Sequence, residues 1–184
     1  MFSSYERLEK RSGKKGVDRP QYLKELVDEF LTSQNCEAKE QVLANLANFA
    51  YDPINYPWFR KLKIIDIFLD QVTEGTPTLR SFAVSGICNL ALDQSNKSYI
   101  IEHGGVALMC RCLSAQEEST VISAITSLMF LITPHSKADI TSTEVVQQML
   151  IRSNSENPRI RNLAKIFLED YCTSDQIKRV QTIS

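Results

Sequence analysis

Four helix-length stretches of this chain carry one apolar template at a spacing of about 40 residues. In the stretch Ser81–Ala91 the template positions are Ala83, Ile87 and Leu90. Extended back to Leu79 and joined by Phe82 and Gly86, they follow the rhythm of a helix with one buried face. Subtracting 41 carries Ile87 onto Leu46, Asn89 onto Asn48, Ala91 onto Ala50, Asp93 onto Asp52 and Asn96 onto Asn55. Adding 41 carries Ala83, Ile87 and Leu90 onto Ala124, Leu128 and Leu131, and a further 40 reaches Ala164, Leu168 and Tyr171. A helical unit of this size cannot bury its own apolar face, so successive units must stack and shelter one another. The fold class expected is all-α, an α-α superhelix in the form of a short right-handed solenoid of three to four repeats.

One unit has three parts. After the long helix, Asp93 is placed to cap a short helix carrying Asn96, Tyr99 and Ile100; Gly104-Gly105 then makes a sharp corner into a third helix, Val106 to Leu113. One repeat earlier Lys63 and Ile64 stand at the glycine positions, so that corner is expected to be built differently. Between Thr133 and Thr143 the Asp and Asn positions are lost, and an irregular loop is expected there. Residues 1–19, with Arg7, Lys10, Arg11, Lys14, Lys15 and Arg19 among Ser and Gly, read as a flexible basic arm, either a solvated terminus or an import or phosphate-contacting tail. The repeat domain is expected to span 20–175, opening with a capping helix whose Leu23, Leu26, Val27 and Phe30 share one face. Residues 176–184 read as a frayed tail, although Ile177 and Val180 could extend the last helix.

Composition excludes several function classes. With 21 basic and 22 acidic residues the net charge is -1, and bulk electrostatics does not point to nucleic acid or a membrane surface. No run of 18 apolar residues and no signal-peptide core are present. Five cysteines, most of them inside apolar helical patterns, suit buried reduced thiols better than a disulfide framework. His103 and His135 both fall in connectors, and HExxH, paired CxxC, P-loop and GxGxxG patterns are all missing. Cys110-Arg-Cys112 is too tight for an unaided metal clamp. No catalytic residue, metal, cofactor or small-molecule substrate is expected.

The strings Ala44-Asn-Leu-Ala-Asn-Phe-Ala-Tyr-Asp52 and Ile87-Cys-Asn-Leu-Ala-Leu-Asp93, with Asn96 and Gly104-Gly-Val-Ala-Leu108, resemble the armadillo repeat consensus. The resemblance implies an armadillo-like fold with a concave groove, where the Asn of each long helix bonds the main chain of an extended partner. Asn48 and Asn89 match that position, which becomes Phe130 and then Asp170 in the later repeats. An equally open reading is that each Asn satisfies a neighbouring loop carbonyl. One turn earlier, import receptors of this superfamily carry Trp; here stand Ala44, Ser85 and Thr126, which argues against gripping Lys-rich import peptides.

A narrower resemblance, carried by Ala38-Lys-Glu-Gln-Val-Leu-Ala-Asn-Leu-Ala-Asn-Phe-Ala-Tyr-Asp-Pro53 and Arg161-Asn-Leu-Ala-Lys-Ile-Phe-Leu-Glu-Asp170, is to small armadillo solenoids without enzymatic activity. It implies a nuclear, non-enzymatic protein-binding adaptor in pre-mRNA splicing, a component of the minor (U12-type) spliceosome. Its implied partners are RNA-binding motif protein 48 and other spliceosomal proteins, with RNA contact indirect or minor. Two rivals stand beside it. One is direct RNA binding through the basic arm with Arg152, Arg159, Arg161 and Lys165; the other is a general cytoplasmic armadillo scaffold.

Overall fold

The computed structural model describes Phe2 and residues 18–183. Most of the basic arm, including Arg7, Lys10, Arg11, Lys14 and Lys15, lies outside the described residues. Every regular element among the described residues is helical.

Four of the five 14-residue helices recur at the repeat spacing and form the frame: α2 (Cys36–Phe49), α5 (Pro77–Leu90), α8 (Glu118–Leu131) and α11 (Pro158–Tyr171). Their starts are spaced by 41, 41 and 40 residues. Local chemistry sets three of these starts. The Asn35 carboxamide accepts from the Glu37 and Ala38 amides, the Thr76 hydroxyl from Leu79, and the Asn157 carboxamide from Arg159 and Ile160. Proline follows at the first turn of α5 and α11, where its missing N–H costs nothing.

Between the long helices come a short and a third helix in each repeat. These are α3 (Tyr56–Lys61) and α4 (Ile64–Glu74), α6 (Gln94–Glu102) and α7 (Gly105–Cys112), and α9 (Lys137–Ile140) and α10 (Thr143–Arg152). Helices α1 (Arg19–Thr32) and α12 (Ser174–Ile183) flank the set, and a 3-10 turn, Pro53–Asn55, leads into α3. The chain divides into two compact units, one ending at Asn96 and the other beginning at Lys97.

In the first unit α2 packs on α5, and α4 packs on the α5 that follows it. Helix α1 packs on α2 in the same serial relation, so it takes the place of a third helix. Leu23, Leu43, Leu46, Phe59, Ile64 and Ile87 are wholly buried there, each worth roughly 1.5–3 kcal/mol relative to exposure. Gly86 lets Phe68 lie on the backbone of α5, since a Cβ at that position would come within 2.5 Å of two Phe68 ring carbons. In the second unit α8 packs on α11, α7 on α8, α10 on α11 and α12 on α10. Met109, Ala124, Leu128, Leu131, Ala164 and Phe167 are wholly buried in it.

Four expectations need correction. The corner at Lys63 is built as the glycine corner is: Lys63 adopts φ 53° and Gly104 φ 78°, both left-handed. The amides of Leu62 and Lys63 donate to Trp58 and Arg60, and 41 positions later those of His103 and Gly104 donate to Tyr99 and Ile101. The stretch 133–143 is not irregular throughout. Ser136 ties it with hydroxyl bonds to Thr133 and the Leu131 carbonyl, and one helical turn, α9, follows.

The tail is helix rather than frayed chain, because Val180 is buried and the Gln176 amide donates to the Thr141 carbonyl and hydroxyl. Arg19, counted with the arm, is the first residue of α1, with its guanidinium 4.5 Å from the Phe49 ring centroid.

Candidate functional site

The long helices place the candidate residues, and the first unit brings four of them onto the adjoining helices α2 and α5. Ala44 and Ser85 are half-buried, Asn89 is half-buried and Asn48 is exposed. The Asn89 side-chain amide donates to the Ala47 carbonyl, 3.1 Å away in the last turn of α2. Its own main-chain carbonyl accepts the Tyr56 hydroxyl at 3.2 Å. Burial, with Asp93 and Asp52 nearby, pushes the Tyr56 phenol above its ordinary pKa, so it remains a donor at neutral pH.

Asn89 thus serves the preceding repeat. Asn48 has no earlier repeat to serve, since only helix α1 precedes α2, and its side chain makes no hydrogen bond among the described residues. The two equivalent residues therefore differ in what they can offer a partner.

In the second unit the same template carries different chemistry. The Thr126 hydroxyl donates to the Ile122 carbonyl one turn back, Phe130 is half-buried and Asp170 is exposed. None of these repeats the amide donor.

Two of the four cations considered for RNA are engaged within the protein. Arg152 donates from Nε and Nη2 to the Leu113 carbonyl at 3.0 and 2.7 Å. Arg161 Nη1 donates to the Ser155 and Glu156 carbonyls at 2.7 and 3.2 Å. Arg159 and Lys165 are exposed.

Sequence reading passed over Arg60. Its Nη1 donates to Asn96 Oδ1 at 2.8 Å and to Asp93 Oδ1 at 3.2 Å, tying α3 to the cap of α6. It also passed over Tyr51 and Leu92, large apolar side chains left 59% and 62% exposed. Their 41-residue spacing, the signal that revealed the core, would have found them.

Burial is the largest cause that pushes the Cys110 thiol up to about 11, which keeps it protonated and a poor nucleophile near neutrality. No disulfide joins any of the five cysteines, with Cys112 buried and Cys36 exposed. Among the described residues no group of three or more His, Cys, Asp or Glu side chains is placed to hold a metal, and no helix is long and apolar enough to cross a membrane.

No protein-family model matches the chain. It is 50% identical over 163 residues to armadillo repeat-containing protein 7 of Mus musculus, covering 88% of this chain and 82% of the relative. Among solved structures it is similar to an engineered protein at a TM-score of 0.69 and 18% identity, over 86% of this chain. A second engineered protein gives 0.73 and 17% over 87%. The chain spans 63% and 40% of those two proteins' lengths, and at such identity the likeness establishes the all-α solenoid fold alone.

Proposed function

Because the chain belongs to the family of armadillo repeat-containing protein 7, we propose that it is a non-enzymatic adaptor that uses the exposed side of its long helices to hold a protein partner. The carrying observation is the pairing of Asn89, satisfied by Ala47, with an equivalent Asn48 that is exposed and unbonded among the described residues. A free carboxamide offers both a donor and an acceptor, the complement of a peptide main chain. Ala44 and Ser85, one turn earlier, leave room for a partner backbone to approach. The second unit, taken by itself, offers an apolar contact at Phe130 and a charged one at Asp170.

The finer reading is a place in the minor spliceosome, in the nucleus, with RNA-binding motif protein 48 as the partner gripped. A ligand that binds only the folded chain stabilises it by mass action, by about 2.7 kcal/mol at a hundredfold excess over its Kd. Thermal unfolding of the chain alone and with RNA-binding motif protein 48 tests this. The melting temperature is expected to rise with the partner, and identical curves would remove the assignment. Direct RNA binding is the weaker reading, since Arg152 and Arg161 are held by main-chain carbonyls. It requires affinity for small nuclear RNA that falls steeply with salt.

A further inference from the structure

In each unit the first of the two packed long helices releases one carbonyl from its own hydrogen-bond ladder. In α2 the Tyr51 amide, which would continue the ladder to Ala47, turns to the Asn48 carbonyl at 3.2 Å, and the Asn89 side chain supplies Ala47 with the missing donor. In α8 the Thr133 amide, which would continue the ladder to Met129, turns to the Ser136 hydroxyl at 2.9 Å. Met129 stands in α8 where Ala47 stands in α2, and Asp170 stands in α11 where Asn89 stands in α5. A carboxylate has no proton to give. The second unit therefore sets acceptor beside acceptor where the first sets donor beside acceptor.

The exposed Asp170 carboxylate and the Met129 carbonyl have no hydrogen-bond or ionic partner among the described residues. Neither α8 nor α11 carries a basic residue in its last turn, so the negative ends of both helix dipoles add to the same field. Ile166, one turn before Asp170, is 43% exposed, and Phe130, next to Met129, is half-buried. We propose that the Met129 carbonyl and the Asp170 carboxylate form a seat for one arginine side chain of the protein partner. A guanidinium presents N–H groups to two acceptors at once in a planar fork and stacks on aromatic rings, here Phe130, while its apolar stem can lie along Ile166. This rests on the adaptor reading above and names the chemistry that the partner brings to Asp170.

The test is an NMR titration of the isotope-labelled full chain with N-acetyl-arginine amide, and with the uncharged isostere N-acetyl-citrulline amide. Saturable shifts at the Met129, Phe130 and Asp170 amides are expected with the first compound and none with the second. Asp170→Asn gives the second unit the donor of the first. It should raise the melting temperature, by closing the Met129 carbonyl, and abolish the arginine shifts. Arginine shifts that persist in Asp170→Asn would overturn the seat, as would equal shifts with citrulline or no shift at these residues. Those outcomes leave the adaptor reading standing. That reading fails separately, if RNA-binding motif protein 48 leaves the melting temperature of the unaltered chain unchanged.

Discussion

Lys63 and Gly104 stand 41 residues apart and turn the chain through the same left-handed corner, each amide donating to the carbonyl three residues back. An L-residue bears about 1–2 kcal/mol there, partly offset by the greater entropy glycine loses on folding. Lys63→Gly is therefore expected to raise stability by about 0.5–1 kcal/mol, and Gly104→Ala to lower it by about 1 kcal/mol. Apart from its chain neighbours, no residue comes within 4 Å of a Cβ at Gly104, so the loss there reports backbone alone. Denaturant unfolding of both variants checks the pair of signs.

At Gly86 the constraint is space. A methyl group would meet Phe68 ring carbons at 2.5 Å, and Phe68 is fully buried. Gly86→Ala is expected to cost about 1–3 kcal/mol as overpacking. Adding Phe68→Leu should recover part of that loss. Additive losses in the double-mutant cycle would show that the ring is not what the methyl meets.

The two asparagines of the long helices should separate stability from binding. Asn89→Ala removes a donor from the Ala47 carbonyl and is expected to cost about 1 kcal/mol of folding stability. Asn48→Ala should leave stability within about 0.5 kcal/mol while, if the proposed partner is the right one, weakening capture of RNA-binding motif protein 48. Unfolding curves and a titration of the partner, run on both variants, read the two effects apart.

Arg60 is exposed, yet its loss should be felt inside. The Asp93 ion pair has side chains 39% and 32% exposed and is worth at most about 1 kcal/mol. Asn96 is wholly buried, however, and Arg60 is the donor to its Oδ1. Arg60→Met is expected to cost about 1–3 kcal/mol because that oxygen is left unpaired. Asp93→Asn, which keeps an acceptor for the Asn96 main-chain N–H, should cost less than Arg60→Met in the same unfolding assay.

Cys110 gives a pH signature. Its folded thiol titrates at about 11 against an ordinary value near 9, so the folded chain keeps the proton longer than the unfolded one. The associated stability is complete below about pH 9 and lost as pH rises toward 11. Stability measured across that window should fall more steeply in the unaltered chain than in Cys110→Ala. At neutral pH, thiol labelling should reach the exposed Cys36 first and Cys110 far later.

The core was legible because apolar periodicity reports burial directly. Ala83, Ile87 and Leu90, with their echoes at Ala124, Leu128 and Leu131, are all wholly buried. The corner at Lys63 was not legible, since a lysine does not advertise a positive φ and only the hydrogen bonds around it do. Helix α12 was obscured by its polar composition, because the buried Val180 side chain and one glutamine amide hold it. At the candidate site, sequence gave Asn48 and Asn89 the same standing. What separates them is whether another full repeat precedes, a property of position along the chain that no single side chain encodes.

Gly86 bears on how the chain avoids assembling in the wrong order. Counted along the repeat, its place is taken by Asn45 in α2, Ser127 in α8 and Phe167 in α11, so no two layers present the same contour to the helix packed before them. If α4 slipped onto α8 by one whole period, the Phe68 ring would meet the Cβ of Ser127 where it now finds only hydrogen. The layers share a pattern but are keyed individually, and that keying guards against misthreading among near-identical neighbours.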